Sequence, residues 1–372
     1  MSNKIVFLVP SRYPTEKAYG VTIGRTCASL RELGIQAEIA APNEDLSVYD
    51  IYGNKVCSLF QGKNWLRWIH KISTVHQVNF VFWLLLCGLV SVRIFRSFRG
   101  VLVYREVYLI LFPALFLRRA NHVLEIHHSP KGLRKTLTQL ILKCRNVKLV
   151  CIAPNIRNSI AVGSNAEKIA LIGMGVPREF FRVSHLEQTN RISICFLGKA
   201  ESNGHPNGIL EFTDMICQIP VFEKIVLGFV GLNSLELESQ IRVKIESCAN
   251  VEVKFVPHVS HDQVPKIVSE FNVGLLPYPE NEYHRDRFPI KALEYAALGL
   301  TLLVSDTQSH RSIIPASCAF FFDHDRSDSL LRVIEEIKNL DLSIEKRLNA
   351  RNWAEQFTYE KRAQEILNFI GI

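Results

Sequence analysis

The sequence predicts an α/β protein built from two doubly wound parallel-sheet domains. Three observations predict it. A length of 372 residues exceeds what one compact core holds. Apolar runs of strand length alternate with helical patterns from the first residues onward. A fresh strand-and-loop start, Ile192-Ser193-Ile194-Cys195-Phe196-Leu197-Gly198-Lys199, follows a polar stretch in mid-chain. The expected division is a first domain at residues 1–176, a linker at 177–190, a second domain at 191–350 and a terminal segment at 351–372.

The first strand is Ile5 to Val9, and Pro10 to Tyr19 reads as a loop. Gly20 to Leu33 carries a helical pattern through Val21, Ile23, Cys27, Ala28, Leu30 and Leu33. Gly34 ends it, and Ile35 to Ala40 is the second strand, which completes a β-α-β unit. The glycine fingerprint of dinucleotide folds is missing from this turn, which disfavours an oxidoreductase. Ile5 to Val9 is too short for a signal peptide and leads directly into Pro10.

Residues 61–150 hold fifteen Lys or Arg against two acids, Glu106 and Glu125, in a chain of net charge +8. Within this stretch Trp65, Leu66, Trp68, Ile69 and Ile72 alternate with Lys63, Arg67, His70 and Lys71. A nearly unbroken apolar run from Val78 to Val92 follows, then Arg93, Arg96 and Arg99. The run admits three readings: a membrane span, a core helix, or an in-plane helix anchoring a peripheral enzyme. Basic flanks and tryptophans favour contact with an anionic membrane surface, while a solvated basic face accounts for the charge as well.

Val101 to Tyr104 is a strand, and Tyr108 to Leu117 a helix bent by Pro113. The strand His122 to Ile126 ends at His127-His128-Ser129-Pro130, on the sheet edge that faces ligands in open α/β folds. Lys131, Arg134 and Lys135 either bind phosphate or lipid headgroups or form a solvated helix face. Strands follow at Lys148 to Ile152 and Ile169 to Ile172. The second domain continues with helices at Ile209–Ile216, Leu235–Cys248 and His261–Ser269 and strands at Lys224–Leu227 and Val251–Phe255. The tail from Leu342 to Ile366 reads as helical.

The most informative stretch runs from Asp286 to Gly299. A buried strand, Phe271 to Leu276, precedes it and another, Thr301 to Val304, follows. Between them the apolar spacing from Ile290 to Leu298 is helical, Pro289 suits the first turn, and Gly299 suits the C-terminal cap. The loop brings backbone N–H groups to a helix N-terminus, an anion site. Asp286 and Glu294 bracket that start, and carboxylates accept hydrogen bonds from sugar and ribose hydroxyls. Ordinary surface acids on a helix would show the same spacing.

Asp286-Arg287-Phe288-Pro289-Ile290-Lys291-Ala292-Leu293-Glu294 resembles the acidic-x7-acidic signature of retaining glycosyltransferases of family 4. Relatives commonly open the signature with Glu-Gly-Phe-Gly; here Asp286, Arg287, Phe288 and Pro289 stand there, a variant similar to bacterial enzymes of surface-polysaccharide assembly. The resemblance implies the GT-B fold, two Rossmann-like domains facing a central cleft, with the acceptor bound by the first domain and the nucleotide sugar by the second. The tail would then cross back to the first domain. It implies that Asp286 holds sugar hydroxyls, that Glu294 holds the ribose, and that Phe288, Pro289 and Ile290 lie against the donor. Gly198 and Lys199 match the pyrophosphate clamp, whose second lysine has no counterpart in Ser202-Asn203-Gly204-His205-Pro206-Asn207; Arg287, Lys291 or the helix N-terminus would compensate. Val256 and Pro257 match the base-binding loop, Gly20 the single glycine of the loop facing donor and acceptor, and His127 the histidine beside the reacting carbon.

The implied reaction moves a sugar from a UDP- or GDP-sugar co-substrate to a hydroxyl of a glycan or a polyprenyl-pyrophosphate-linked acceptor, with configuration retained and no cofactor. No Asp-x-Asp pair stands where a metal would serve the pyrophosphate; Asp323 and Asp325 read as a local turn. No zinc spacing or nucleic-acid motif is present. Nine scattered cysteines without a CxxC pair predict reduced thiols in a cytoplasmic enzyme, and the Asp286–Glu294 variant with the basic apolar stretch of residues 61–150 suggests a place at the inner face of the cell membrane. The alternatives are an epimerase, a dinucleotide oxidoreductase, and a catalytically weak or inactive GT-B-fold membrane-associated scaffold.

Overall fold

The computed structural model describes residues 3–11, 13–15, 18–42, 47–59, 77–160, 163–182, 191–202, 204–220, 224–248 and 250–372. The Trp65 to Ile72 pattern, Asn203 and linker residues 183–190 lie outside them. Two compact units divide the chain: Met1–Gly175 with Tyr359–Ile372, and Val176–Thr358.

The sheet of unit 1 consists of β1 (Lys4–Leu8), β2 (Gln36–Ala41), β3 (Ser47–Tyr49), β4 (Lys55–Ser58), β5 (Val101–Tyr104), β6 (Asn121–Ile126), β7 (Val147–Cys151) and β8 (Ile169–Leu171). Their order is β3-β4-β2-β1-β5-β6-β7-β8, parallel except for the β3–β4 pair. The first strand sits inside the sheet and later strands extend away on both sides, so a topological switch point lies between β1 and β5. Ile5 to Leu8 are buried, as a strand covered on both faces requires.

The helix Ala18–Glu32 packs against the C-terminal helix Tyr359–Ile370; Ile23 and Leu30 share a core with Ile366, Leu367 and Ile370. Gly20 lies within the first turn of this helix rather than in a loop before it. A Cβ there would stand 2.4 Å from Thr15 Cγ2 and 2.6 Å from the Thr15 carbonyl oxygen, so a close approach of backbone requires glycine.

The apolar run forms the helix Gln77–Ile94, which packs on the helix Val107–Phe116. Trp83, Leu84, Cys87 and Ser91 are buried, and the Trp83 indole N–H donates to the Pro10 carbonyl at 2.7 Å. Phe80, Phe82 and Leu89 remain exposed. Among the described residues no helix is long and apolar enough to cross a membrane. Part of the basic stretch is structural: Lys148 donates to the Phe369 carbonyl at 2.6 Å, which ties β7 to the C-terminal helix.

The sheet of unit 2 consists of β9 (Ser193–Leu197), β12 (Ile225–Val230), β13 (Val251–Val256), β14 (Val273–Leu276), β15 (Thr301–Ser305) and β16 (Ala319–Phe322), with a small hairpin, β10 (Glu201–Ser202) and β11 (His205–Pro206), beside it. The order β13-β12-β9-β14-β15-β16 is all parallel and again reverses about the first strand. The helix Ile290–Ala297 covers β14 and β15. Gly274 permits this: a Cβ would stand 2.3 Å from the Tyr295 ring. Tyr295 is fully buried, and its hydroxyl accepts the Leu197 N–H at 2.7 Å.

Three expectations need correction. The tail is not one helix: Leu340–Ala354 packs in unit 2, a break follows at Thr358, and the helix Tyr359–Ile370 belongs to unit 1. The expected linker is partly packed, because Arg178–Arg182 forms a turn whose Phe180 is fully buried 5.2 Å from the His261 ring. Finally, the thiols are not all reduced. Cys217 and Cys248 form a disulfide, since the ends of the helices Ile209–Gln218 and Leu235–Glu246 bring their Cα atoms within 5.6 Å. The 31-residue separation hides that proximity in the sequence.

Candidate functional site

In unit 2 the sequence-identified residues gather at the C-terminal ends of the strands beside the switch point. β9 ends in Gly198, whose φ of 149° suits glycine, followed by an exposed Lys199. Backbone bonds tie the strand ends together: Gly198 N–H donates to the Val230 carbonyl and Gly231 N–H to the Val256 carbonyl, each at 2.9 Å. The Val256 carbonyl is therefore occupied, and Pro257 and His258 stand exposed just beyond it. Asn207 holds the loop after β9 by donating to the Lys199 carbonyl at 2.8 Å. Its own Oδ1 is buried without a hydrogen-bond partner among the described residues.

After β14, Asp286 closes a single 3-10 turn, His284–Asp286, and is nearly buried. Phe288 is buried against Phe357. The helix N-terminus offers fewer donors than its sequence suggests. Pro289 has no N–H, and the Ile290 N–H turns back to the Phe288 carbonyl at 2.9 Å.

Glu294, 3% exposed, accepts from Lys291 Nζ at 2.9 Å and lies 3.1 Å from His261 Nε2. Burial alone would raise its pKa, but Lys291 and His261 hold it down to about 2. The carboxylate is thus an ionised acceptor at neutral pH. The same pairing occupies the Lys291 ammonium.

Arg287 has a different setting. Burial pushes the His284 imidazole down to about 4, so it is neutral; its Nε2–H donates to the Pro206 carbonyl at 3.1 Å, and Nδ1 faces Arg287 Nη1 at 3.5 Å. The guanidinium lies 5.6 Å from the Tyr278 ring and 5.4 Å from the Tyr283 ring, which in turn stacks on His205 at 4.4 Å. Arg287 makes no ion pair among the described residues. Tyr278 and Tyr283 thus flank a cation that adjoins Asp286 in the chain.

In unit 1, His127 follows β6 and is bonded through Nε2 to Glu125 Oε1 at 2.6 Å. Arg105 Nη2 reaches the same oxygen at 2.7 Å, and Arg362 Nη2 donates to Oε2. Arg105 Nη1 donates to the Tyr19 carbonyl at 3.2 Å, so the network links His127 to the turn that holds Gly20. Sequence reasoning missed Glu125, Arg105, Arg362 and His261. For Glu125 a signal existed, a lone acid inside the apolar strand Val123-Leu124-Glu125-Ile126. For Arg362, 237 residues away, none did.

Among the described residues no group of three His, Cys, Asp or Glu side chains is placed to hold a metal. Asp323 accepts the Asp325 N–H at 3.1 Å, a local turn.

Residues 177–357 match the family of glycosyl transferases group 1. No curated protein sequence matches the chain. Among solved structures, a glycosyltransferase from Rickettsia africae is similar with a TM-score of 0.72 at 13% identity, covering 99% of this chain and 97% of that one. HepE of Anabaena in complex with UDP gives a TM-score of 0.66 at 12% identity, with 99% of each chain covered. The lipopolysaccharide outer core galactosyltransferase WaaB gives 0.67 at 13% identity, again over 99% of each. The chain thus has the GT-B fold, and residues 177–357 of its second unit match the glycosyl transferases group 1 family, a match that supports glycosyl transfer from a nucleotide-sugar donor.

Proposed function

We propose that the chain is a retaining glycosyltransferase that moves a sugar from a UDP- or GDP-sugar to a hydroxyl of a glycan or polyprenyl-pyrophosphate-linked acceptor in surface-polysaccharide assembly. The observation that carries this reading is Glu294, a buried and ionised carboxylate in the helix that follows the switch-point strand β14. In this reading Glu294 accepts from the ribose hydroxyls and Asp286 from the sugar hydroxyls. Pro257 and His258 flank the base. Lys199 and Arg287 stabilise the charge that grows on the departing diphosphate, in place of a divalent metal. Arg287 takes over from the missing second lysine because Lys291 is already paired. His127 orients the sugar. The binding of UDP by HepE supports the choice of nucleotide, and WaaB the choice of pathway class.

Calorimetry with UDP, GDP, CDP, ADP and NAD in EDTA tests the reading. We expect selective binding of one nucleoside diphosphate, weakened about tenfold or more by Arg287→Ala and by Lys199→Ala, as for loss of a charge-assisted bond. Tight NAD binding, or no nucleotide binding by folded protein, sinks it. Binding with no transfer to any offered acceptor would favour the scaffold alternative.

We further propose that unit 1 meets an anionic membrane at the inner face of the cell membrane. What supports this is exposed Phe80, Phe82, Leu115 and Phe116 on two helices packed side by side, with exposed Arg93 in the last turn of the first helix and exposed Arg96, Arg118 and Arg119 just beyond the helix ends. Exposed apolar groups together with exposed cations suit an acidic lipid surface. The protein should sediment with phosphatidylglycerol vesicles at low salt and not with phosphatidylcholine vesicles. An Arg118→Glu, Arg119→Glu double variant should lose most of that binding; equal sedimentation of variant and wild type would refute the surface.

A further inference from the structure

Three donors converge on one buried carboxylate in unit 1. Glu125 and Arg362 are nearly inaccessible. Beyond Glu125, Arg362 also donates to the Ile172 carbonyl at 3.2 Å and to the Gly173 carbonyl. Desolvating such ions is costly, and an apolar plug would join the C-terminal helix to the sheet at less cost. The cluster has a second consequence, at His127.

An ionised carboxylate only accepts hydrogen bonds. The 2.6 Å contact with Glu125 therefore places the imidazole proton on Nε2. A second proton would face Arg105 and Arg362, two cations against one anion. Burial first, then Arg105, pushes the His127 pKa down to about 4, while the same neighbours hold Glu125 well below the carboxylate range against the effect of burial. His127 Nδ1 has no hydrogen-bond partner among the described residues, and the side chain is one-quarter exposed.

We infer that Glu125 and Arg362, with Arg105, are positioning residues that lock His127 as the neutral Nε2–H tautomer, so that Nδ1 meets a sugar hydroxyl only as an acceptor. The hydroxyl donates a hydrogen bond to Nδ1, the proton stays on the hydroxyl oxygen, and the ring offers no donor there in return. This rests on the proposed role of His127 at the donor sugar. It adds that the C-terminal helix, through Arg362, sets the chemical character of that contact.

The test uses the full chain with isotope-labelled histidine and nuclear magnetic resonance, which reads tautomer and protonation without any ligand. The charged and titratable groups facing His127 are Glu125, Arg105 and Arg362, with Tyr359 near Arg105. In wild type the His127 signals should show the Nε2–H form, unchanged from pH 8 down to roughly 5.5, since the folded pKa of about 4 is not reached. Glu125→Gln should release the lock and give mixed tautomers. Arg362→Met should do so in part, and Arg362→Lys, which keeps the charge, should restore the wild-type spectrum. Thermal unfolding run alongside checks that each variant is folded; if Arg362→Met is not, Glu125→Gln decides. A wild-type Nδ1–H tautomer, an ordinary titration of His127, or a wild-type spectrum in folded Glu125→Gln overturns the inference.

The kinetic arm uses transfer or hydrolysis of the nucleotide sugar selected by calorimetry. Glu125→Gln should lower kcat about tenfold, one hydrogen bond's worth, with a smaller change in KM. If His127→Ala retains wild-type turnover, the donor role of His127 fails, whereas the spectra still decide the lock.

Discussion

Glu294→Gln is expected to lose nucleotide binding and to remove about 3 kcal/mol of stability at neutral pH. The second figure comes from a pKa depressed from 4.5 to about 2, at about 1.4 kcal/mol per unit. The sign is that of a depressed acid: its contribution is complete above the unfolded value near 4.5 and fades as the pH falls through about 2. Urea unfolding followed from pH 7 to pH 2 should therefore show the wild type converging on the variant at the acid end. A constant gap would mean that the loss is packing rather than charge. Retention of nucleotide affinity by the folded variant would remove the donor site from this helix. Glutamine keeps the volume and one acceptor, so lost binding would report the missing charge rather than a cavity.

The second large effect falls on a glycine. Gly208 has φ of 79°, and a Cβ there would stand 1.9 Å from the Pro277 carbonyl oxygen and 2.9 Å from His324 Nε2. The loop after β9 and the end of β14 touch through backbone at this point, so no rotamer can relieve the overlap. Gly208→Ala should cost more than about 4 kcal/mol and disturb the strand ends that carry Lys199 and Tyr278. Gly204→Ala is the matched control. Its φ is 78° with nothing within 4 Å, so only the left-handed backbone is penalised, about 1–2 kcal/mol. Denaturation midpoints of the two variants separate contact from torsion. Equal losses would show that Gly208 is retained for its backbone angle alone.

The parts of the fold legible in the sequence are those governed by local physics. The helix Ile290–Ala297 announces itself by period, by Pro289 before it and by Gly299 after it, where φ is 78°. The strands of both units read as apolar runs because parallel strands are covered on both faces. Short or weakly patterned pieces escape: β3, β4 and the β10–β11 hairpin follow no period that a window of several residues can register. The tail shows the limit of periodicity, since the change of partner at Thr358 breaks a pattern that reads as continuous. At the site, Asp286 and Glu294 are visible through spacing, but their surroundings are not. That Lys291 is spent on Glu294 and that Arg287 is held by His284 and two tyrosines depends on rotamers and on loops from distant positions. The Glu125–Arg362 pair is tertiary altogether.

Unit 1 is discontinuous along the chain, with all of unit 2 inserted between Gly175 and Tyr359. During vectorial synthesis unit 2 is complete once Thr358 has emerged, whereas unit 1 must wait for Tyr359–Ile372. Until then the face of the helix Ala18–Glu32 that receives Ile366 and Leu367 is uncovered, and Glu125 lacks one of its two guanidinium partners. The order of assembly on the ribosome is therefore the reverse of the order of translation: the unit begun first is finished last.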